Sequence, residues 1–294
     1  MKDFKKILKE YAVEVNDELK KVMNLQEEIL SETLLSSMKY TLFSGGKRIR
    51  PILTIMTAEM IGGSREAALR VGAAMELIHT YSLIHDDLPS MDNDDFRRGK
   101  KTNHNIYGTA VAILAGDGLL TYAFNLLSQL SLAPENIIEI IRIISDGAGH
   151  NGMVGGQVLD IEAENKKVNL DQLRQIHKGK TGALFKSSIL AGAHCGNPDS
   201  EERQALSDFS KYLGLTFQIV DDILDVVGNE EKLGKRVGSD QELNKSTYPI
   251  LLGLEEARKE AKSTASRAKK SLTIFGKKAK KLQSLMDYIV IRQS

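Results

Sequence analysis

Asp86, Asp87, Asp92, Asp94 and Asp95 crowd one short segment, and Asp221, Asp222 and Asp225 form a second acidic cluster far along the chain. Carboxylates packed this closely repel one another and resist burial, so a cleft lined by them calls for bound cations. Arg97 and Arg98 follow the first cluster directly. Carboxylates beside guanidinium groups suit a metal-bridged phosphate ligand: an oxygen-seeking ion such as Mg²⁺ meets the aspartates and the arginine fork grips the remaining phosphate oxygens. Either cluster alone reads more readily as a solvated acidic helix end. Both, however, sit among apolar residues (Leu83, Ile84 and Leu88; Ile219, Val220, Ile223 and Leu224), where free surface aspartates would be poorly placed. An EF-hand over Asp92, Asn93 and Asp94 fails, because Arg97 stands where that loop needs glycine and no glutamate follows at its last position.

The elements that must position these groups are helical. Asp221 and Asp225, four apart, project from one helix face as two carboxylates sharing an ion would need, with Asp222 off to the side. Asp86 and Asp87 end a helix rising from Ala67; Pro89 disfavours its continuation, so Asp92 is expected to fold back toward Asp86 from an irregular turn. Gly45-Gly46-Lys47-Arg48-Ile49-Arg50-Pro51 places three cations at a glycine-rich helix entry, with Pro51 expected at the first helical position. Free N–H groups and the positive dipole end make such an entry an anion site, within reach of Lys47 and Arg50; a plain helix start with solvated cations fits the same residues. Lys180-Thr181, Lys235-Arg236 and Lys245-Ser246 add cations with or near hydroxyl groups. His79 lies two helical turns before Asp86, and Gln218 three residues before Asp221, each on the face of its aspartate.

The 294 residues hold 40 Lys plus Arg against 39 Asp plus Glu, a balance that argues against a nucleic-acid binder, and 41% apolar content allows a large core. Cys195 is the only cysteine, so no intrachain disulfide can form and no zinc-type spacing exists. No signal-type apolar block opens the sequence and no apolar run approaches the roughly 20 residues of a membrane span. The expectation is a soluble cytoplasmic protein without stable membrane insertion. Three- and four-residue apolar spacing runs from Phe4 to Val22 and then over Glu32–Phe43, Pro51–Ile61, Ala67–Leu88, Thr109–Leu130, Asn136–Ile144, Leu173–His194, Arg203–Val227 and Thr247–Lys262. No strand alternation or hairpin turn signal stands out. With no linker or repeat, residues 1–294 are expected to form one all-α domain, a bundle of about ten helices. A basic stretch from Arg258 to Lys281 reads as a solvated helix face and is given no role.

In order and spacing, Gly45–Pro51, His79–Gly99, Gly152–Asp160, Lys180–Leu184, Phe217–Asp225, Leu233–Arg236 and Lys245–Pro249 resemble the motifs of the trans-polyprenyl diphosphate synthases, most closely the bacterial short-chain type that makes a farnesyl product. The resemblance covers essentially the whole chain. It implies helices around a deep central cavity, a homodimer, and aspartate motifs facing each other across the cavity mouth. It also implies that Asp86, Asp92 and Asp221 are the principal Mg²⁺ ligands, supported by Asp87, Asp222 and Asp225, for about three ions with substrate bound; Mn²⁺ could substitute. Arg97, Lys180, Thr181, Gln218, Lys235 and Lys245 would hold the allylic diphosphate, and Lys47, Arg50, His79 and Arg98 isopentenyl diphosphate. Lys101 and Gly179 depart from the pattern, standing where relatives often carry proline and a bulkier residue.

Product length turns on Tyr81 and Ser82, five and four positions before Asp86. A ring at Tyr81, about 7.5 Å down the helix axis from Asp86, can floor the product pocket, and an aromatic residue there accompanies C15 synthesis in the family. An ordinary core aromatic is the other reading of Tyr81. Alternatives to C15 synthesis are a C20 (geranylgeranyl) synthase, which Tyr81 opposes, and a non-catalytic subunit of a heteromeric synthase, which would be expected to lack one acidic motif. A terpene cyclase would need no second diphosphate pocket, and a ferritin-like di-iron bundle would need Glu-x-x-His pairs that are missing.

Overall fold

In a computed structural model, residues 2–24, 29–227 and 246–291 are described. Helices α1 (Lys2–Val22), α2 (Glu32–Leu42), α3 (Ile49–Ile61) and α4 (Arg65–Asp86) are followed by a short hairpin, β1 (Phe96–Arg97) and β2 (Lys100–Lys101). Then come α5 (Asn103–Tyr107), α6 (Thr109–Ser128), α7 (Pro134–Ala148), α8 (Met153–Ala163) and α9 (Leu170–His177). A π-helical turn over Lys178–Gly182 joins α9 to α10 (Ala183–Ala193), and α11 (Ser200–Val227) is the longest helix. After the undescribed stretch come α12 (Tyr248–Leu252), α13 (Leu254–Ser271), a 3₁₀ segment (Thr273–Ala279) and α14 (Lys280–Ile291). The all-α expectation holds, with more and shorter pieces than the spacing alone suggested.

Apolar residues encircle α3 and much of α4, which makes them interior helices: Ile52, Leu53, Ile55, Met56, Ala73, Ala74, Leu77 and Ile78 are fully buried. The amphipathic helices wrap them. In α1, Leu8, Tyr11, Val15, Leu19 and Val22 turn inward at helical spacing while the lysines stay in water. Ser64 caps α4, its hydroxyl accepting from Ala67 N–H at 3.2 Å. A smaller cluster of Leu173, Ile219, Val220, Ile223, Leu224, Tyr248, Ala257 and Ala261 ties α11 to α9, α12 and α13. The first and last described helices meet on α3: Tyr11 donates to Glu59 at 2.6 Å, and Lys281 Nζ reaches both Tyr11 Oη and Glu59 Oε2 at 2.7 Å.

Several expectations change. Helix α3 starts at Ile49, so Pro51 is its third residue; Arg48 caps it in a left-handed conformation (φ 52°). A hairpin does exist: Phe96 faces Lys101 and Arg97 faces Lys100, with Arg98 (φ 54°) and Gly99 (φ 74°) in the turn. Strands of two residues cannot show alternation, and paired positive φ values give the tight two-residue turn the twist a hairpin needs. Helix α6 is, by length and composition, apolar enough to cross a membrane, contrary to the sequence expectation. Its inner side (Ala112, Ala115, Gly116, Leu119, Ala123, Leu126, Leu127) is nevertheless buried in the bundle, while Ile113 and Leu114 face out.

Helix α8 escaped the apolar spacing because Gly155 and Gly156 break it, yet those glycines explain its place. A Cβ on Gly156 would lie 2.0 Å from Lys180 N, and one on Gly179 2.7 Å from Gly156 Cα, so α8 and the π turn touch backbone to backbone. This contact accounts for the small residue at Gly179. Gly156→Ala should therefore separate the two segments, lowering stability by about 1–3 kcal/mol in chemical unfolding while far-UV helicity is retained; an unchanged midpoint would show that the contact yields freely.

Candidate active site

Helix α4 carries Glu76, His79, Tyr81, Ser82, His85 and Asp86 in succession and ends with Asp87 as its cap. Beyond it the chain folds back: Asp92 N–H donates to the Asp86 carbonyl at 2.8 Å and Asn93 N–H to Leu88 at 3.1 Å, with Asn93 left-handed (φ 51°). Asp86 and Asp92 are thus brought together despite their spacing. Burial pushes the Asp86 carboxyl up to about 6; Lys180 opposes the rise, and Asp92 and Asp160 add to it. Asp87, 1% exposed, accepts from Arg97 Nε at 2.6 Å. Burial still outweighs that guanidinium and holds Asp87 near 6 as well. Arg97 also bridges to Asp94 at 3.3 Å.

Opposite this acidic lip, the α8 contact presents Asp160, whose Oδ2 lies 2.6 Å from Lys180 Nζ on the π turn. Burial works against the Lys180 charge, but Asp160, Asp86 and Asp92 together raise its pKa above the ordinary lysine value. The π turn widens the helix where Lys180 and Thr181 emerge; one-turn π insertions recur where helices build sites. On α11, Asp221 is partly exposed, whereas Asp222 and Asp225 are buried. Asp222 turns aside, as expected, accepting from Tyr248 N–H at 2.9 Å and lying 3.9 Å from His177 Nε2. Gln218 sits one turn before Asp221. Burial depresses His177 to about 4 even though Asp160 and Asp221 pull it upward. Asp160 therefore acts electrostatically on Asp86 and, together with Asp221, on His177, which links the two acidic motifs.

A cationic cluster adjoins it. Arg48 is 3% exposed, and its guanidinium donates to Glu76 Oε1 at 2.6 Å, Asn16 Oδ1 at 3.0 Å and the Leu42 carbonyl at 2.7 Å. That anchoring holds the Gly45–Arg50 loop. Arg98 donates to the Gly45 carbonyl, and a Cβ on Gly46 would come within 2.8 Å of its guanidinium. Arg50 lies over the Phe185 ring at 4.9 Å, and Phe185 packs on Phe217 of α11 at 4.9 Å between centroids. Burial lowers Arg50 to about 10, and its Nε is buried without a hydrogen-bond partner. His79 lies among these groups; desolvation and the nearby Arg50, Arg98, Arg97 and Arg48 keep it neutral, well below the usual histidine value. Lys47 is exposed at the loop. Crowded guanidinium groups, an orphaned N–H and a neutral imidazole suit a polyanion such as a diphosphate.

Lys235 and Lys245, with Arg236, lie outside the described residues. Sequence reasoning passed over Asp160, His177, Glu76 and Arg48. Asp160 closes the glycine-containing segment that follows Gly152, and Arg48 sits between two assigned cations; no spacing distinguished their roles. Among the described residues, no three His, Cys, Asp or Glu side chains converge closely enough to enclose a metal ion by themselves. Yet the donors are hard oxygens, and the raised Asp86 and Asp87 values mark negative charge short of compensation, so the site fits Mg²⁺ shared with ligand oxygens.

The known family that matches is Polyprenyl synthetase, over residues 31–289. The chain belongs to this family. Among its relatives, the farnesyl diphosphate synthase of Geobacillus stearothermophilus is 52% identical over 228 residues, 76% of this chain and 77% of the relative. The chloroplastic geranylgeranyl pyrophosphate synthase of Capsicum annuum is 44% identical over 296 residues, 99% of this chain and 79% of the relative. Among solved structures, the apo FPP/GFPP synthase of Zymomonas mobilis superposes with a TM-score of 0.86 at 38% identity, covering 98% of this chain and 99% of that one. All-α architecture and the polyprenyl synthetase family agree.

The raised Asp86 carboxyl has a stability consequence. Its folded value near 6 exceeds the ordinary 3.8, so the folded state holds this proton more tightly than the unfolded chain does. Asp86 therefore destabilises the metal-free fold progressively as pH rises from about 4 to 6 and fully above that. Asp86→Asn should melt higher than the parent at pH 7.5 in chelator, by about 1–3 kcal/mol, and the gain should shrink at pH 4. A destabilised Asp86→Asn protein under both conditions would contradict the assignment.

Proposed function

We propose that this protein is a Mg²⁺-dependent prenyltransferase that joins isopentenyl diphosphate to dimethylallyl and then geranyl diphosphate, giving farnesyl diphosphate (C15) and diphosphate. The observation that carries the reading is the juxtaposition of Asp86, Asp92, Asp160 and Lys180 with a separate cluster formed by Arg50, Arg98 and His79: two anion sites, of which only the first is rich in carboxylates.

In this reading Asp86, Asp92 and Asp221 would hold the ions, with Asp87, Asp222 and Asp225 supporting them. Bound Mg²⁺ would supply charge neutralisation for the leaving diphosphate. Arg97, Lys180, Thr181 and Gln218, with Lys235 and Lys245, orient the allylic diphosphate, and Lys180 meets charge that grows as the allylic C1–O bond breaks and its electron pair departs. Lys47, Arg50, His79 and Arg98 fix isopentenyl diphosphate so that its double bond faces the allylic carbon. After the new C–C bond forms, a proton is lost to the departing diphosphate and the double bond is restored. The apolar walls of α4 and α6 exclude water, which would trap the cation. No protein nucleophile is needed.

Similarity to farnesyl diphosphate synthases and the ring at Tyr81 favour C15; the Capsicum relative makes C20 synthesis the second reading. Retention of both acidic motifs favours a catalytic chain over a silent subunit. The outward Ile113 and Leu114 of α6 support pairing of two copies, and a lone, buried, free Cys195 suits a reducing cytoplasm.

Purified protein given Mg²⁺, labelled isopentenyl diphosphate and each primer should yield mainly C15 chains; predominantly C20 chains would select the second reading, and no turnover would reject both. Asp86→Ala and Asp221→Ala should each lower kcat by about 10²-fold or more with helicity intact. Near-parental rates would remove the metal assignment. Tyr81→Ala should lengthen products with little loss of rate, and an unchanged distribution would remove Tyr81 as the pocket floor.

A further inference from the structure

Helices α4 and α6 pack closely, and at one level a histidine ring replaces the usual interlocking of aliphatic side chains. His85 lies immediately before Asp86, and its Nε2 sits 3.0 Å from the Ile113 carbonyl oxygen and 3.9 Å from Asp117 Oδ1, both on α6. The ring reaches that depth because position 116 is glycine. A Cβ there would stand 2.1 Å from His85 Nε2, 2.5 Å from Cδ2 and 2.9 Å from Cε1, overlapping the imidazole across its whole outer edge.

One turn earlier on the same face, Tyr81 meets the imidazole edge-on, with ring centroids 5.7 Å apart and planes at 77°. Helical side chains lean toward the helix N-terminus, which carries His85 onto Tyr81. Tyr81 is 6% exposed, and its hydroxyl is pushed up to about 12 by burial and by the charge of Asp86, so the ring lies within the field of the acidic lip. Its freedom to swing toward α6 is limited by the seated imidazole. Ser82, the other position near this level, donates its hydroxyl to the His79 carbonyl at 2.8 Å and is turned back on its own helix.

We propose that Gly116 and His85 form a backstop that fixes the Tyr81 ring and thereby sets how long a prenyl chain the cavity accepts: Gly116 seats the imidazole, and the imidazole holds the phenol. Both are positioning residues, and neither touches the reacting atoms. The proposal rests on the reading of Tyr81 as the pocket floor. It predicts opposite effects for the two changes. Removing the imidazole lets the phenol retreat toward α6 and deepens the cavity. Adding a methyl at position 116 expels the imidazole from its notch, drives it against Tyr81 and makes the cavity shallower.

The test is product analysis for the parent, Tyr81→Ala, His85→Ala, Gly116→Ala and the His85→Ala/Gly116→Ala double variant, each first checked by circular dichroism and thermal melting. His85→Ala should raise the C20 share by about 5-fold or more, and Gly116→Ala should shift product toward C10 by a similar factor. With the imidazole gone the added methyl has room, so the double variant should match His85→Ala and not average the two. If Gly116→Ala fails to fold, His85→Ala and the double variant still decide. A parental C15 distribution in His85→Ala and in the double variant, while Tyr81→Ala lengthens products, would overturn the backstop and leave the Tyr81 reading standing. If Tyr81→Ala also leaves C15 unchanged, the floor reading itself fails and the backstop fails with it.

Discussion

Like charges kept close together and partly out of water set the terms for the rest of this structure. Asp86, Asp92 and Asp160 all bear on Lys180, and beside them Arg48, Arg50, Arg97 and Arg98 all bear on the neutral His79. Each set would relax apart if its backbone allowed. It is not allowed to: α4 and α3 are interior helices, Arg48 is pinned to Glu76, Asn16 and Leu42, and Arg97 to Asp87 and Asp94. Left-handed backbone at Arg48 and Arg98 adds local strain that the surrounding packing must hold. The fold thus holds like charges together at a cost to the stability of the empty protein, a cost that the proposed phosphate and cation ligands would relieve.

Most of the architecture could be read from the sequence because long amphipathic helices announce themselves through apolar spacing. The end of α4 followed from Pro89 and from Asp86 and Asp87 themselves. What escaped has a common physical cause. Helix α8 is held by backbone contact through Gly156, and the π turn by close approach to Gly179, so neither depends on a periodic apolar face. The hairpin behind Arg97 and Arg98 is only a turn long. Asp160 and His177 matter through distance in space to residues on other elements, and Glu76 through a partner on a different helix. Such pairings carry no local signature. The candidate ligands on the two acidic motifs could be singled out because carboxylates set among apolar residues are costly without a partner, and those of the Gly45–Arg50 loop because cations gather at a helix entry.

Family membership and product length rest on different kinds of physics. Membership follows from many motifs in order. On the proposal that Tyr81 floors the pocket, product length turns on the space under one helix, where a methylene changes the free energy by only about 1–3 kcal/mol. Relatives of comparable identity include makers of different chain lengths by name, so overall similarity is a blunt guide to a question settled by a few side chains. In the proposal above, Tyr81 and the groups that press on it are the proper scale for that question.

The junction of Tyr11, Glu59 and Lys281 has a meaning for how the protein is made. Residues separated by 270 positions in the chain close a single network there. During synthesis, α1 and α3 leave the ribosome long before Lys281 exists, so the seam they form on the finished surface stays open until α14 arrives. The amino-terminal helices, which frame the Gly45–Arg50 loop, therefore wait on the carboxyl-terminal helix for their final lock, and the nascent chain spends most of its synthesis with that edge unsealed.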